Sequence, residues 1–230
     1  MSTNENNFKD SSSLTNWVNY LLYAQIVVAV IAIGTNYFEY QLLSDLKNGL
    51  YSSQEQLISD AEASDQRQQI VGFGFIAVFI ISGFLILRWI HRANYNARQL
   101  GATEMKFTPG WSIGYYFIPI LALWKPYQSM KEIWKASHNP QNWKSEQSSY
   151  LLVTWWFLWI AVNVLGQALF RMSSSAEEIP ELMSLNLVSQ ASEILSIPLA
   201  LVMLFIVNEI HNAQMSAYES AKNAGRLSQA

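Results

Sequence analysis

The residue whose type and setting most suggest chemistry is Glu193, the lone charge in an apolar run from Leu182 to Asn208. A carboxylate in hydrocarbon is costly unless it is protonated, paired or facing a polar cavity, so this placement points to proton or cation handling. Ser189, Gln190, Ser192 and Ser196 flank it, and Pro198 follows one turn on. The plainer alternative is that Glu193 lies near the outer interface and reaches water there. Asn163 and Gln167, one helical turn apart, would present two amides on one face, either for hydrogen bonds to another helix or for a hydrophilic seam with Glu193.

A third group is cationic. Arg88, Arg92 and Arg98 stand with His91, Asn94 and Asn96, and Lys125, Lys131 and Lys135 follow. Cations beside a membrane attract anionic lipid by about 1 kcal/mol each and help to set topology. Roofed by Trp111, Tyr115, Tyr116 and Trp124, Arg88, Arg92, Arg98 and Lys125 would form a pocket for an anionic headgroup or ligand.

Other chemistries find no footing. The chain has no cysteine, which removes disulfides, thiolate nucleophiles and cysteine metal sites. His91, His138 and His211 are far apart and lack partners at ligand spacing. No G-x-S-x-G, Walker-type glycine loop or H-E-x-x-H occurs, so neither a catalytic site nor a cofactor is expected. A net charge of −3 and the absence of a Lys/Arg-rich tail argue against nucleic acid as a partner.

The elements that must position these residues are read from charge distribution. The 230 residues are 51% hydrophobic and only 13% charged, unusual for a soluble fold. Charges are absent from 11 to 38, 68 to 87, 107 to 124 and 147 to 170. A hydrocarbon core about 30 Å thick takes roughly 20 apolar helical residues, and backbone groups there must be satisfied within the helix. The pattern predicts an all-α integral membrane protein with four transmembrane helices, about 17–37, 69–90, 150–170 and 185–207. Polar tails are expected at 1–16 and 216–230 around one membrane domain, 17–215, with the first apolar run retained as a span because it lacks an A-x-A cleavage site. Leu42, Leu43, Leu46 and Leu50, in a connector from Glu39 to Gln69, suit a short amphipathic helix on the membrane or on the bundle, and Gly72, Gly74, Ser82 and Gly83 suit close helix approach.

The segment 109–126 is the anomaly, opened by Pro109-Gly110, broken by Pro119 and closed by Lys125-Pro126. Eight of the fourteen basic residues lie between Arg88 and Lys144, on both sides of it, so the positive-inside rule places both flanks in the cytoplasm. A segment that starts and ends on one side does not cross; a Pro-broken re-entrant or in-plane element is expected, with both termini cytoplasmic. A fifth span is the alternative and leaves the charge bias unexplained.

The residues Trp89, Arg92-Ala-Asn94-Tyr-Asn96, Pro109-Gly110-Trp111-Ser-Ile-Gly114 through Pro119, Trp124-Lys-Pro126-Tyr127-Gln128 and Glu132-Ile-Trp134 resemble a bacterial multi-span membrane family, domain of unknown function 4328 (DUF4328). The likeness covers roughly Gly83 to Gln214 and is most specific from Pro109 to Gln128. It implies a bacterial membrane protein and supplies no reaction.

The expectation is therefore a non-enzymatic, multi-pass protein of the cytoplasmic membrane that acts as a scaffold or by binding lipids, a second copy or a membrane protein partner. A small channel or transporter using the re-entrant segment and Glu193 is the alternative. An interfacial lipid-modifying enzyme built on the Arg/His/Asn cluster is a weaker third.

Overall fold

The computed structural model describes residues 7–225. Its elements in order are α1 (Ser12–Lys47), α2 (Gln54–Gln99), α3 (Pro109–Gly114), two 3₁₀ turns (Tyr115–Phe117 and Leu121–Leu123), α4 (Lys125–His138), α5 (Tyr150–Ser173) and α6 (Ile179–Asn223). The described residues are all-helical, without strands, and α1, α2, α5 and α6 are each long and apolar enough to cross a membrane. The chain is a helical membrane protein.

The helices are longer than their apolar runs. Leu42, Leu43 and Leu46 do not form a separate amphipathic helix, because α1 continues unbroken to Lys47 and α2 begins at Gln54. The expected 30-residue connector is thus only a short turn. It is closed by Gly49 at φ 66, where the Leu50 N–H reaches Asp45 O at 3.0 Å and the Gly49 N–H reaches Leu46 O at 3.2 Å. The same cap ends α2: Gly101 has φ 106, Ala102 N donates to Ala97 O at 3.1 Å, and Gly101 N donates to Arg98 O at 3.1 Å. A β-carbon at either position would strain the left-handed backbone. Residues 12–16 and 216–223, expected in polar tails, are helical turns of α1 and α6. Residues 1–6 and 226–230 of the tails lie outside the described residues.

Segment 109–126 has no helix long enough to span. Pro109 starts α3, and the Thr108 hydroxyl caps it by accepting the Trp111 N–H at 3.2 Å. Ile118 is extended ahead of Pro119, as the proline ring requires, and this breaks the helix. The chain then doubles back, so that α3 and both 3₁₀ turns pack against α4. This gives the non-crossing, Pro-broken element its physical form.

By internal contacts the chain divides into two units. The first holds the described residues up to Tyr20, Ser82–Trp156 and those from Val202 onward. Its core is dense: Trp89, Ile90, Met130, Ile133, Leu152, Ile206, Val207 and Ile210 are fully buried. Polar cross-links run through it. Gln214, 1% exposed, donates to Ala93 O at 2.7 Å and to the Ser137 hydroxyl at 2.9 Å. Trp89 Nε1 donates to Thr15 Oγ1 at 3.1 Å. The second unit holds Leu21–Ile81 and Phe157–Leu201. There large apolar side chains such as Phe73, Ile76, Ile80, Phe157 and Val164 face outward, as lipid contact demands. Gly72, Gly74 and Gly83 do not seat a neighbouring helix: an added β-carbon would meet nothing within 4 Å at any of them.

If all four long helices cross, the turns at 48–53 and 174–178 lie on one face of the membrane and the α4–α5 connection on the other. Single cysteines at the exposed residues Ser52 and Ser174 are expected to react with an impermeant maleimide from one side, and one at Gln141 only from the opposite side. Labelling of all three from the same face would rule out this topology. The buried Ser137 is unsuitable as a reporter.

The start of α1 makes a second expectation. The Asp10 carboxylate accepts from the Ser12 hydroxyl at 2.6 Å and the Ser12 N–H at 2.8 Å, and these bonds hold its pKa below the ordinary 3.8. A lowered carboxyl pKa stabilises the fold fully above the unfolded value and loses that contribution as the pH falls through the folded one. Asp10→Ala should lower stability by about 0.5–1 kcal/mol at neutral pH, the exposed setting screening these bonds, with the gap to wild type closing as the pH falls below the ordinary carboxyl range, as read by thermal unfolding in detergent.

Candidate functional site

The site is built on a short loop that two helices grip from opposite sides. After the Gly101 turn the chain runs as an irregular, bent loop toward α3, with Glu104 at φ 57, and Phe107 is buried. Glu132 of α4, 6% exposed, accepts the Lys106 N–H at 2.9 Å on Oε2 and the Phe107 N–H at 3.0 Å on Oε1. From α2, Asn94 Nδ2 donates to Phe107 O at 3.0 Å, and Arg98 Nη2 donates to Phe107 O at 2.8 Å and Met105 O at 3.0 Å. Arg98 Nε also donates to Asn94 Oδ1 at 3.2 Å, so the two side chains hold one another in place.

Above this loop opens a cleft of about 700 Å³. Five lysines line it: Lys106 from the loop, Lys125, Lys131 and Lys135 from α4, and Lys144 beyond it. The helical period explains the α4 set. Gln128, Lys131 and Lys135 fall on one face, while Met130, Ile133, Ala136 and Ser137 bury the other. Phe107, Tyr115 and Trp143 supply the apolar walls. The Lys125 ammonium lies 5.6 Å from the Phe107 ring centroid and 5.9 Å from that of Tyr115, within cation–π range. Trp143 is fixed by its Nε1–H, which donates to Thr103 O at 2.9 Å. Lys144 pairs with exposed Glu104 and holds that carboxyl below its ordinary pKa, chiefly by hydrogen bonding. With Glu104 and Glu132 counted against them, the five lysines leave three positive charges in excess. Trp111 packs on Tyr115 at 5.0 Å between ring centroids, and Gly114 makes room for it, since a β-carbon there would lie 3.2 Å from Trp111 Cε3.

The cationic residues expected from sequence are thus separated. Lys125 lines the cleft, whereas Arg98 is spent on loop carbonyls and Arg92 Nη1 donates to Asp10 O at 3.0 Å. Arg88 is exposed on α2 outside the cleft lining. Asn96 holds the N-terminal segment, donating to Lys9 O at 2.8 Å and accepting from Lys9 N at 3.1 Å. His211 Nδ1 lies 3.0 Å from Ser11 Oγ, and the His138 ring stacks on Trp134 at 4.5 Å. The expected aromatic roof also changes, with Phe107 and Trp143 in place of Trp111, Tyr116 and Trp124. Among the described residues no group of three His, Asp or Glu side chains could hold a metal ion.

The second unit carries a polar network that the sequence reading missed. Glu39 Oε2 accepts from Gln68 Nε2 at 2.9 Å and Asn186 Nδ2 at 2.8 Å. Asn36 accepts from Gln68 at 3.1 Å and donates to Ser189 Oγ at 3.2 Å, and Gln190 donates to Asn186 Oδ1 at 2.7 Å. The spacing Asn36–Glu39 with Asn186–Ser189–Gln190 was its only sequence signal. Asn163 and Gln167 do not join Glu193 in a seam: both are exposed on α5, and Asn163 Nδ2 turns back to Trp159 O at 2.7 Å.

Comparison with known proteins now bears on the arrangement. The family model described as a domain of unknown function, DUF4328, matches residues 54–212, more than half of the chain. The chain belongs to the DUF4328 family. The match includes α3, α4 and every cleft-lining residue. No curated protein and no solved structure matches the chain.

The grip on Phe107 is testable. Glu132→Ala removes a charged acceptor from two buried N–H groups and should cost roughly 3 kcal/mol, at about 1.5–3 kcal/mol per charge-assisted bond with partial relief by water. Limited trypsin digestion in detergent should show faster cleavage after Lys106 than in wild type, with Glu132→Gln intermediate because its one amide oxygen still accepts.

Proposed function

We propose that this chain is a non-enzymatic, multi-pass membrane protein whose lysine cleft holds the anionic, phosphate-bearing headgroup of a membrane lipid. The observation that carries the reading is the pairing of that cleft with an outward-facing apolar edge on the same segment. Phe117 is 72% exposed and Ile120 70%, and Trp111, Leu123 and Trp124 are also exposed. Aromatic and aliphatic side chains of this kind seek the bilayer interface, and lysines beside them meet the headgroups. Glu132 keeps its negative charge but directs both oxygens at backbone N–H groups, and the lysines still outnumber the carboxylates of the cleft.

The excess of Lys and Arg between Arg88 and Lys144 supports a cytoplasmic location for the cleft and both chain ends, and residence in the cytoplasmic membrane. Lipid is the primary partner in this reading. Outward-facing Asn163 and Gln167 on α5 support association with a second copy or another membrane protein, since amides in hydrocarbon gain from a hydrogen-bonding neighbour.

The test compares binding of short-chain phosphatidylglycerol, phosphatidylcholine and inorganic phosphate to the detergent-solubilised protein. Each lysine contributes about 1 kcal/mol, so Lys125→Gln, Lys131→Gln and Lys135→Gln combined should weaken phosphatidylglycerol binding by roughly a hundredfold while leaving the small phosphatidylcholine affinity unchanged. Equal affinity for the two lipids in wild type, or no loss in the triple variant, would sink the proposal. Tight binding of phosphate alone would replace the lipid by a soluble anion.

A further inference from the structure

Within the second unit, polar residues on α6 recur at helical spacing along one face: Asn186, Ser189 with Gln190, Glu193 and Ser196. At a rise of about 1.5 Å per residue this stripe covers roughly 15 Å. Its two ends open on different cavities. Asn186 and Ser189 line a cavity of about 420 Å³ together with Asn36, Glu39 and Gln68. Ser196 lines a second, of about 120 Å³, whose wall includes Gln25, Val28 and Phe75. Both are large enough for water, which needs only about 10–15 Å³ of such volume and a few polar partners.

Glu193 lies between them on the stripe, one turn from Ser189 and one from Ser196. Its Oε2 is buried and has no hydrogen-bond partner, and the Ser196 hydroxyl donates to the Glu193 backbone carbonyl at 2.8 Å. Among the described residues no ion pair compensates it. The charge-free runs of α1 (11–38), α2 (68–87) and α5 (147–170) are bounded by Asp10 and Glu39, Arg67 and Arg88, and Glu146 and Arg171, and on α6 Glu193 is the lone charge between Glu181 and Glu209. Glu39 is itself engaged by Gln68 and Asn186. A bare carboxylate oxygen in such surroundings is costly, and a bound proton removes the charge without needing a ligand shell.

We propose that Glu193 is a proton-binding site inside the membrane, reached from the Asn36–Glu39–Gln68–Asn186 network along the α6 stripe. Binding is a simple protonation: a proton delivered through water in the larger cavity adds to the carboxylate, and release returns it by the same track. The proposal is independent of the lysine cleft and does not stand or fall with it. The stripe from Asn186 to Ser189 supplies both donors and acceptors for such a relay, which an apolar helix face would not.

The test is infrared difference spectroscopy of the full chain in lipid vesicles, titrated with acid and base in light and in heavy water. Wild type should show a protonated-carboxyl carbonyl band that responds to pH and shifts in heavy water. Glu193→Gln, which keeps size and polarity, should lose that band while retaining the helical amide signal. In Asn186→Leu/Ser189→Ala the band should remain but exchange with heavy water at least tenfold more slowly. A band that persists in Glu193→Gln, that ignores pH and heavy water in wild type, or that exchanges at the wild-type rate in the double variant would overturn the proposal.

Discussion

The lysine cleft depends on one backbone segment being held by both its polar groups. Phe107 has its N–H in the Glu132 carboxylate and its C=O between Asn94 and Arg98. The stretch 102–108 between the α2 cap and Pro109 has no regular structure to satisfy these groups, and leaving them buried and unpaired would cost about 1–3 kcal/mol each. Side chains from α2 and α4 therefore stand in for a secondary-structure partner. The consequence is geometric: Lys106 and Phe107 are placed at the foot of the cleft, Lys125 comes within reach of the Phe107 ring, and α3 starts at a fixed point from which Trp111 reaches Tyr115. A mobile loop would leave the same lysines as a diffuse surface charge.

In the second unit the constraint comes from the surroundings. Hydrocarbon offers no hydrogen bonds, so a polar side chain there must find another from the protein or hold water. Asn36, Glu39, Gln68, Asn186 and Gln190 solve this collectively: Gln68 and Gln190 donate, Glu39 accepts, and Asn36 and Asn186 do both. Glu193 stands apart from that network, because its Oε2 has no partner among the same helices. Two polar strategies thus coexist in a small bundle, one closed by mutual satisfaction and one left open beside cavities.

What could be read in the sequence follows the range over which each signal acts. Charge-free runs report directly on lipid burial, so the four long helices and the broken segment at Pro119 were legible. The end of α1 and the start of α2 were not, because Glu39, Asp45 and Arg67 made these extensions look like a connector, although the capping glycine 49 marks the stop of α1. Trp143 and Glu132 were missed as site residues because their partners, Thr103, Lys106 and Phe107, lie 25 or more positions away. Asn36 and Asn186 likewise meet only through tertiary structure, 150 residues apart in the chain.

The division of labour between the two kinds of cation follows from their chemistry. A guanidinium offers several N–H donors in a rigid fork, which suits the simultaneous capture of Met105 O, Phe107 O and Asn94 Oδ1 by Arg98. An ammonium is a compact, strongly hydrated charge on a flexible stem; it satisfies fewer fixed carbonyls and adapts better to an oxyanion whose position is not predetermined. Arginine in this fold therefore works at the framework, as Arg92 does on Asp10 O, while the cleft is lined by lysine alone among the basic residues. In a linear sequence the two appear as one basic region. Only the path of the chain, with carbonyls presented on one side of the 105–107 loop and open space on the other, separates the charges that build the site from those left to meet a ligand.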